Sequence, residues 1–317
     1  MTKKIIIELL KTIILLLVLV FIIKSVFLSN EKILLNVQKG DSSFTIASHL
    51  KEKNLILSRK LFIILSKITN FQNKLKIGVY SFSKKDGMFK ILWKLKTGSN
   101  NILQFTIPEG SNIKQIADII SKVINIDKKK FVQIATDRNL EGYLMPETYF
   151  VSLEVSEEQL IEIMRTEFDR KITQDMYKRA AELNISFEDI IIMASIIEKE
   201  AANSEERSIV AAVFYNRLKK KIKLQSCATV LYAMGVNKVK LTAEDVKFES
   251  LYNTYVYYGL PPGPISNPGI ESIKAALYPA NTENLFFVSS GNGKHLFAKD
   301  FNEHTKNKQR LKLKRQK

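Results

Sequence analysis

SFEDIIIMASIIEKE, residues 186–200, is the stretch on which the fold turns. Ser186 stands where a helix N-cap stands, and Asp189 occupies the N3 position of a variant capping box. From Ile190 to Ile197 the run is almost wholly apolar. A surface helix has a polar face, whereas a helix apolar all round is buried. The segment therefore predicts a core helix that ends by delivering Glu198, Lys199 and Glu200. Desolvation disfavours the charged form of a carboxyl group, and a general acid has to be protonated near neutral pH. Glu198 follows the apolar run directly and is the candidate. Glu200 lies about 200° further round the helix and faces elsewhere. A plainer reading leaves both carboxylates solvated at a helix end, and pattern alone does not separate the two.

Downstream, a second helix is expected from Ser204 to about Leu218, with Ile209, Val213 and Phe214 on its apolar side. Arg217 near its end either favours the helix dipole or pairs with a site carboxylate. Upstream lies EGYLMPETYF, residues 141–150. Gly142 allows a turn, and Tyr143, Tyr149 and Phe150 offer flat faces. The segment is either a plain turn into a strand or part of a sugar groove, where aromatic faces pack on pyranose rings.

Two earlier stretches resemble each other at an offset of 70: LNVQKGDSSFTIASHL at 35–50 and FTIPEGSNIKQIADII at 105–120. Each reads as a short strand, a glycine turn and an amphipathic helix. Asp41 or Ser42 would cap the first helix, and Ser111 or Asn112 the second. Ser58 to Ile68 predicts another helix, Lys76 to Phe82 a strand, and Phe89 to Lys96 a strand or a helix. Residues 35–97 thus form a small β-α-α-β unit whose layout resembles the LysM-like carbohydrate-binding module. A bare spacer domain is the alternative.

The chain has 317 residues, 45% hydrophobic and 26% charged, which fits a globular protein. One cysteine, Cys227, excludes an intrachain disulfide, and three histidines make a structural zinc site a poor reading. The formal net charge of +17 implies attraction to a polyanion or a solubilising surface. Part of that charge sits in the basic tail TKNKQRLKLKRQK at 305–317, read as a solvated end. Residues 5–28, IIIELLKTIILLLVLVFIIKSVFL, would be roughly 36 Å long as a helix at ~1.5 Å per residue, enough to span a bilayer with some tilt. Lys3 and Lys4 ahead of it favour a cytoplasmic N-terminus. No small-x-small cleavage site follows. The expectation is a transmembrane anchor with the rest of the chain outside the cytoplasm, which counts against nucleic acid as a partner.

From Glu141 onward several motifs in a fixed order resemble the endolytic murein transglycosylases of the YceG-like (MltG) type. They are EGYLMPETY at 141–149, ASIIEKE at 194–200, VFYNRL at 213–218, KLQS at 223–226 and TVLYAMG at 229–235. YNTY at 252–255, GLPPGPISNPG at 259–269, AALYPA at 275–280 and LFFVSSGNGKHLF at 285–297 follow, then Glu303-His304. The resemblance covers about residues 36–305 and implies an α+β fold. Its expected parts are an N-terminal transmembrane helix within 1–30, a LysM-like module over 31–100, a mixed α+β catalytic region over 101–305 with a possible small repeat unit at 102–140, and a basic tail over 306–317.

The resemblance also implies a function. Such enzymes cleave the MurNAc–GlcNAc β-1,4 bond within nascent peptidoglycan strands without water, leaving 1,6-anhydro-MurNAc ends and terminating strand elongation. One glutamate acts as acid and then base, and Glu198 matches it. No metal and no cofactor is implied. Partners would be peptidoglycan strands, penicillin-binding or other glycan synthases, and inner-membrane lipid. The location would be the inner membrane, single-pass, with the catalytic region in the periplasm. Gln225, Tyr252, Asn253 and Thr254 can hydrogen-bond sugar hydroxyls and acetamido groups. The loop Pro261, Pro262, Gly263, Pro264 is stiff enough to hold Asn253 and Asn267 in place. Glu200, Arg217 and His295 are further supporting candidates. After KLQS the family pattern has Asp-Pro, where this chain has Cys227 and Ala228. A missing site carboxylate would weaken activity; a missing helix cap would cost about 0.5–2 kcal/mol. Two alternatives stay open. One is a water-using muramidase with Glu200 or Asp245 as second carboxylate, and the other a non-catalytic wall-binding scaffold.

Overall fold

Capping side chains and apolar spacing set the elements of the first packed unit. The computed structural model describes residues 32–315 apart from 39, 72–73, 77, 99–101, 153–154, 202, 237, 239 and 292. Among these, one unit takes the residues up to Gln104 and from Phe150 to Ser152, and the other takes Phe105–Tyr149 and those from Val155 onward. In the first unit β1 (Lys32–Val37) pairs antiparallel with β2 (Gly78–Ser83), with Leu35 opposite Tyr80. Between them lie α1 (Ser43–Glu52) and α2 (Arg59–Ile68). Ser42 and Ser58 are their N-caps, accepting from the N–H of Thr45 and Leu61. Met88–Thr97, expected as strand or helix, is helix α3. Its buried residues Ile91, Leu92 and Leu95 share one helical face, which alternation in a strand would split. They close a core with Leu35, Ile46, Leu50, Phe62 and Phe82.

Strands β3 (Ile102–Thr106) and β4 (Thr148–Ser152) pair with each other. Asn112 and Gln115 form a capping box at the start of α4 (Ile113–Ile120). The two similar stretches share one construction: strand, a glycine with positive φ (Gly40 at 98°, Gly110 at 75°), then a capped helix. Helices α5 (Lys128–Asp137), α6 (Glu157–Lys171) and α7 (Gln174–Glu182) follow.

The core helix is α8 (Phe187–Glu200), and Ser186 Oγ accepts from Asp189 N at 3.0 Å as its cap. All residues from Ile190 to Ile197 are buried. Fully burying each Ile or Met contributes about 1.5–3 kcal/mol, so this helix is the part of the unit most costly to expose. Around it pack α7, α9 (Arg207–Lys219), α10 (Cys227–Met234) and α11 (Ile270–Leu277). A 3-10 turn, Ser204–Glu206, precedes α9, so the expected helix from Ser204 starts as a tighter coil. The hairpin β5 (Phe286–Gly291) and β6 (Lys294–Ala298) leads into α12 (Phe301–Arg315). The basic tail is therefore helical as far as Arg315, with Leu311 of that helix buried.

The membrane-spanning part of the expected fold class is corrected. No helix among the described residues is long and apolar enough to cross a membrane. Helices α6 and α12 reach 15 residues each. At ~1.5 Å per residue each rises roughly 22 Å, short of the ~30 Å hydrocarbon layer, and both are rich in charge. The transmembrane helix, the single-pass inner-membrane location and the cytoplasmic N-terminus rested on one element and are withdrawn together. Residues 5–28, on which that expectation fell, lie outside the described residues.

Candidate active site

Ser195 fixes the surroundings of Glu198. It lies one helical turn earlier on α8, fully buried. Its Oγ donates to the Ile192 carbonyl at 2.7 Å and accepts from the Ile265 N–H at 3.0 Å. Ser266 Oγ in turn donates to the Ser195 carbonyl at 3.3 Å. These bonds lay the segment after the proline loop along α8. Gly142 secures the other side: at a φ of +89° it faces Pro264 and Ile191 so closely that a Cβ would come within 2.8 Å of both.

The segment ends at Gly269, the N-cap of α11, whose N–H donates to Glu198 Oε2 at 2.9 Å. Arg207, the first residue of α9, brings Nη2 to 3.2 Å from Glu198 Oε1. The same Nη2 lies 3.3 Å from Glu109 Oε2. Glu198 and Arg207 side chains are 6% and 14% exposed, against 45% for Glu109. Burial, and then the charge of Glu198, push the Glu109 carboxyl above its ordinary value, with Arg207 acting against them. Lys199 Nζ donates to the Gly110 carbonyl at 3.2 Å. A cavity of about 380 Å³ opens here, lined by Glu109, Gly110, Ser111, Gln115, Ile119 and Lys199 among others. That volume suits a small-molecule or sugar-sized ligand. Among the described residues no group of three or more His, Cys, Asp or Glu side chains could hold a metal ion.

Asn267 joins this loop to the 108–112 turn. It is fully buried; its Oδ1 accepts from Leu144 N, and its Nδ2 donates to the Ser111 carbonyl and to Glu141 Oε1. Glu141 also accepts from Ile113 N and Tyr232 Oη. Burial pushes the Glu141 carboxyl up to about 7, against the lowering effect of those donors.

The remaining sequence candidates fall elsewhere. Glu200 leaves α8 on another side, accepting 2.6 Å from Ser226 Oγ, and burial pushes its carboxyl up. Thr254 Oγ1 accepts from Ser226 N and bonds Thr229 Oγ1. Asn253, fully buried, gives its amide to the carbonyls of Val246 and Phe248. Gln225 has a φ of +51° and an exposed side chain. Tyr252 packs on Tyr232 at 5.1 Å between ring centroids. Arg217 is neither a solvated end nor hydrogen-bonded to a carboxylate: it is buried and donates to the carbonyls of Leu285, Leu224 and Lys223. His295 N and Nδ1 bond Glu206, the residue before Arg207. Asp245 pairs with Lys238 and Thr242, whose backbone N–H leads in holding it below the usual carboxylate range. Tyr143 packs edge-on against Phe168, and Tyr149 is buried, so these two serve the core rather than a groove.

Sequence reasoning missed Glu109, Arg207, Glu141 and Gly269. One signal was available: a cation opening α9 opposes the helix dipole, so another partner has to hold it. Cys227 is N1 of α10, the cap being Ser226, whose hydroxyl is committed to Glu200. A carboxylate at 227 would therefore not be that helix's N-cap. The Cys227 thiol instead meets Tyr255 Oη at 3.1 Å.

Comparison with known proteins agrees with this architecture. The chain is 36% identical over 310 residues to the endolytic murein transglycosylase of Bacillus subtilis (strain 168), covering 89% of this chain and 85% of that protein. It is 26% identical over 322 residues to the endolytic murein transglycosylase of Streptococcus pneumoniae D39, spanning 58% of that longer protein. A crystal structure of a YceG-like protein from Listeria monocytogenes superposes with a TM-score of 0.58 at 36% identity, covering 88% of this chain and 99% of that one. The family model described as YceG-like matches residues 35–310. On that match and these relatives, the chain belongs to the YceG-like family.

Proposed function

We propose that this protein is an endolytic murein transglycosylase that cuts the MurNAc–GlcNAc β-1,4 bond of peptidoglycan strands, with Glu198 as acid and then base. The observation that carries the reading is a nearly buried carboxyl, held by one backbone N–H and one guanidinium, beside a sugar-sized cavity in a YceG-like chain. Protonated Glu198 donates to the glycosidic oxygen as the C1–O bond breaks. Gly269 N–H and Arg207 then stabilise the carboxylate left behind. That carboxylate takes the proton from the MurNAc C6 hydroxyl, whose oxygen closes on C1 to give the 1,6-anhydro end. Attack within one sugar benefits from a high effective concentration and needs no water. The second carboxylates considered for a hydrolytic route, Glu200 and Asp245, are engaged by Ser226 and by Lys238 with Thr242. These contacts count against either of the two as a second catalytic carboxylate. The β-α-α-β stretch within residues 31–100 is read as its LysM-like module.

The test is the full chain on uncrosslinked glycan strands, beside Glu198→Gln and Glu200→Gln, with products read by mass spectrometry. Anhydro ends are expected from the parent, and none from Glu198→Gln with its fold intact. A fully active Glu198→Gln, or reducing ends alone from the parent, overturns the reading.

A further inference from the structure

The geometry points to Glu109 as a positioning residue that takes over Arg207 whenever Glu198 is neutral. This rests on the reading of Glu198 as an acid and base. Such a group is uncharged in one half of its cycle and charged in the other. Arg207 stays charged throughout, and its side chain is only 14% exposed. A buried cation stripped of its partner is strongly unfavourable, so a second carboxylate has to hold it when Glu198 carries the proton. Glu109 occupies that place, on the same Nη2 at 3.3 Å as against 3.2 Å for Glu198.

Three further observations fit an exchange rather than a fixed bridge. Arg207 Nε is buried with no partner, so the guanidinium is not locked through Nε to either carboxylate. Glu109 is the more solvated of the two acids and lines the cavity, so its carboxylate has room to move with the guanidinium. Gly269 makes the room: a Cβ there would lie 1.9 Å from Glu109 Oε1. The other charges at the pair are Glu271 on α11, which acts on Glu109, and Lys199, committed to the Gly110 carbonyl. Without Glu109 the cation has only Glu198, and the carboxylate form is favoured over the acid that must donate.

The experiment is glycan cleavage by the full chain from pH 4.5 to 9, for the parent, Glu109→Gln, Glu109→Asp and Glu198→Gln, with folding checked by circular dichroism. In Glu109→Gln, kcat is expected to fall about tenfold with KM within about twofold, and the alkaline limb of kcat to move about one pH unit lower. Glu109→Asp restores part of that displacement. If Glu109→Gln misfolds, Gly269→Ala displaces the Glu109 carboxylate while keeping residue 269 at an ordinary φ of −71°, and the same shift is expected. An unmoved alkaline limb overturns the role even if the rate drops, because loss of a merely structural group lowers rate without displacing the profile. An inactive Glu198→Gln with an unmoved Glu109→Gln limb overturns this role alone. A fully active Glu198→Gln removes the reading on which it rests.

Discussion

Replacing Ser195 with alanine deletes one oxygen and exposes how the site is held. Ser195 is fully buried and Ile265 is 3% exposed. The hydroxyl accepts from the Ile265 N–H at 3.0 Å, the one acceptor that N–H has among the described residues. In the alanine variant that N–H stays buried with no acceptor, at a cost of about 1–3 kcal/mol. The lost bond to Ile192 adds little, because that carbonyl sits inside the helix ladder. A total near 2 kcal/mol lowers Tm by about 4–8 °C for a unit of this size. The assay is urea and thermal unfolding by circular dichroism, beside Ser266→Ala as control. Ser266 donates to a carbonyl at 3.3 Å, and its loss strands no buried N–H, so a cost below about 1 kcal/mol is expected. Cleavage by Ser195→Ala should fall as well, because the loosened segment carries the Gly269 N–H. The reasoning is refuted if Ser195→Ala costs under about 0.5 kcal/mol, or no more than Ser266→Ala.

Glu141→Gln should flatten the pH dependence of stability. With a folded-state value near 7 against 4.5, the Glu141 contribution is full below about pH 4.5 and lost as pH rises through about 7. The parent should therefore lose on the order of 3 kcal/mol between pH 4.5 and 8 from this group, and urea unfolding showing equal slopes in parent and variant would count against it. Cys227→Asp places a carboxylate in the first turn of α10, where the dipole favours it by about 0.3–1 kcal/mol. A modest rise in Tm is expected, and a fall would show that contact with Tyr255 matters more.

Periodicity and capping made the core legible. The apolar run 190–197 and the Ser186 cap specify α8 and its end without outside information. The helical face of α3 was harder to read, because eight residues rich in Leu, Ile and aromatics suit either period. The site was legible only on its helical side. Glu109 lies 98 residues from Arg207, and no local pattern encodes a contact of that span. Asn253 and Thr254 have the composition of sugar binders, yet their polar atoms go to backbone carbonyls, to Ser226 and to Thr229. Irregular loops need such internal partners, and sequence does not say whether an amide serves the chain or a ligand. Arg217 shows the same ambiguity, resolved as a clamp on three carbonyls.

The bridge between Ser111 and Asn267 has a consequence for the order of assembly. It joins residues 156 positions apart and ties the turn that carries Glu109 to the segment that carries Gly269. Such long-range closure comes late, after local helices have formed, because chain entropy opposes it until other packing is in place. A growing polypeptide that has reached only α10 already contains Glu198, Arg207 and Glu109, but lacks the strap that brings Gly269 to them. The carboxyl acquires its backbone donor only once the chain has grown past Gly269, so a copy ended before that point is left without a finished site.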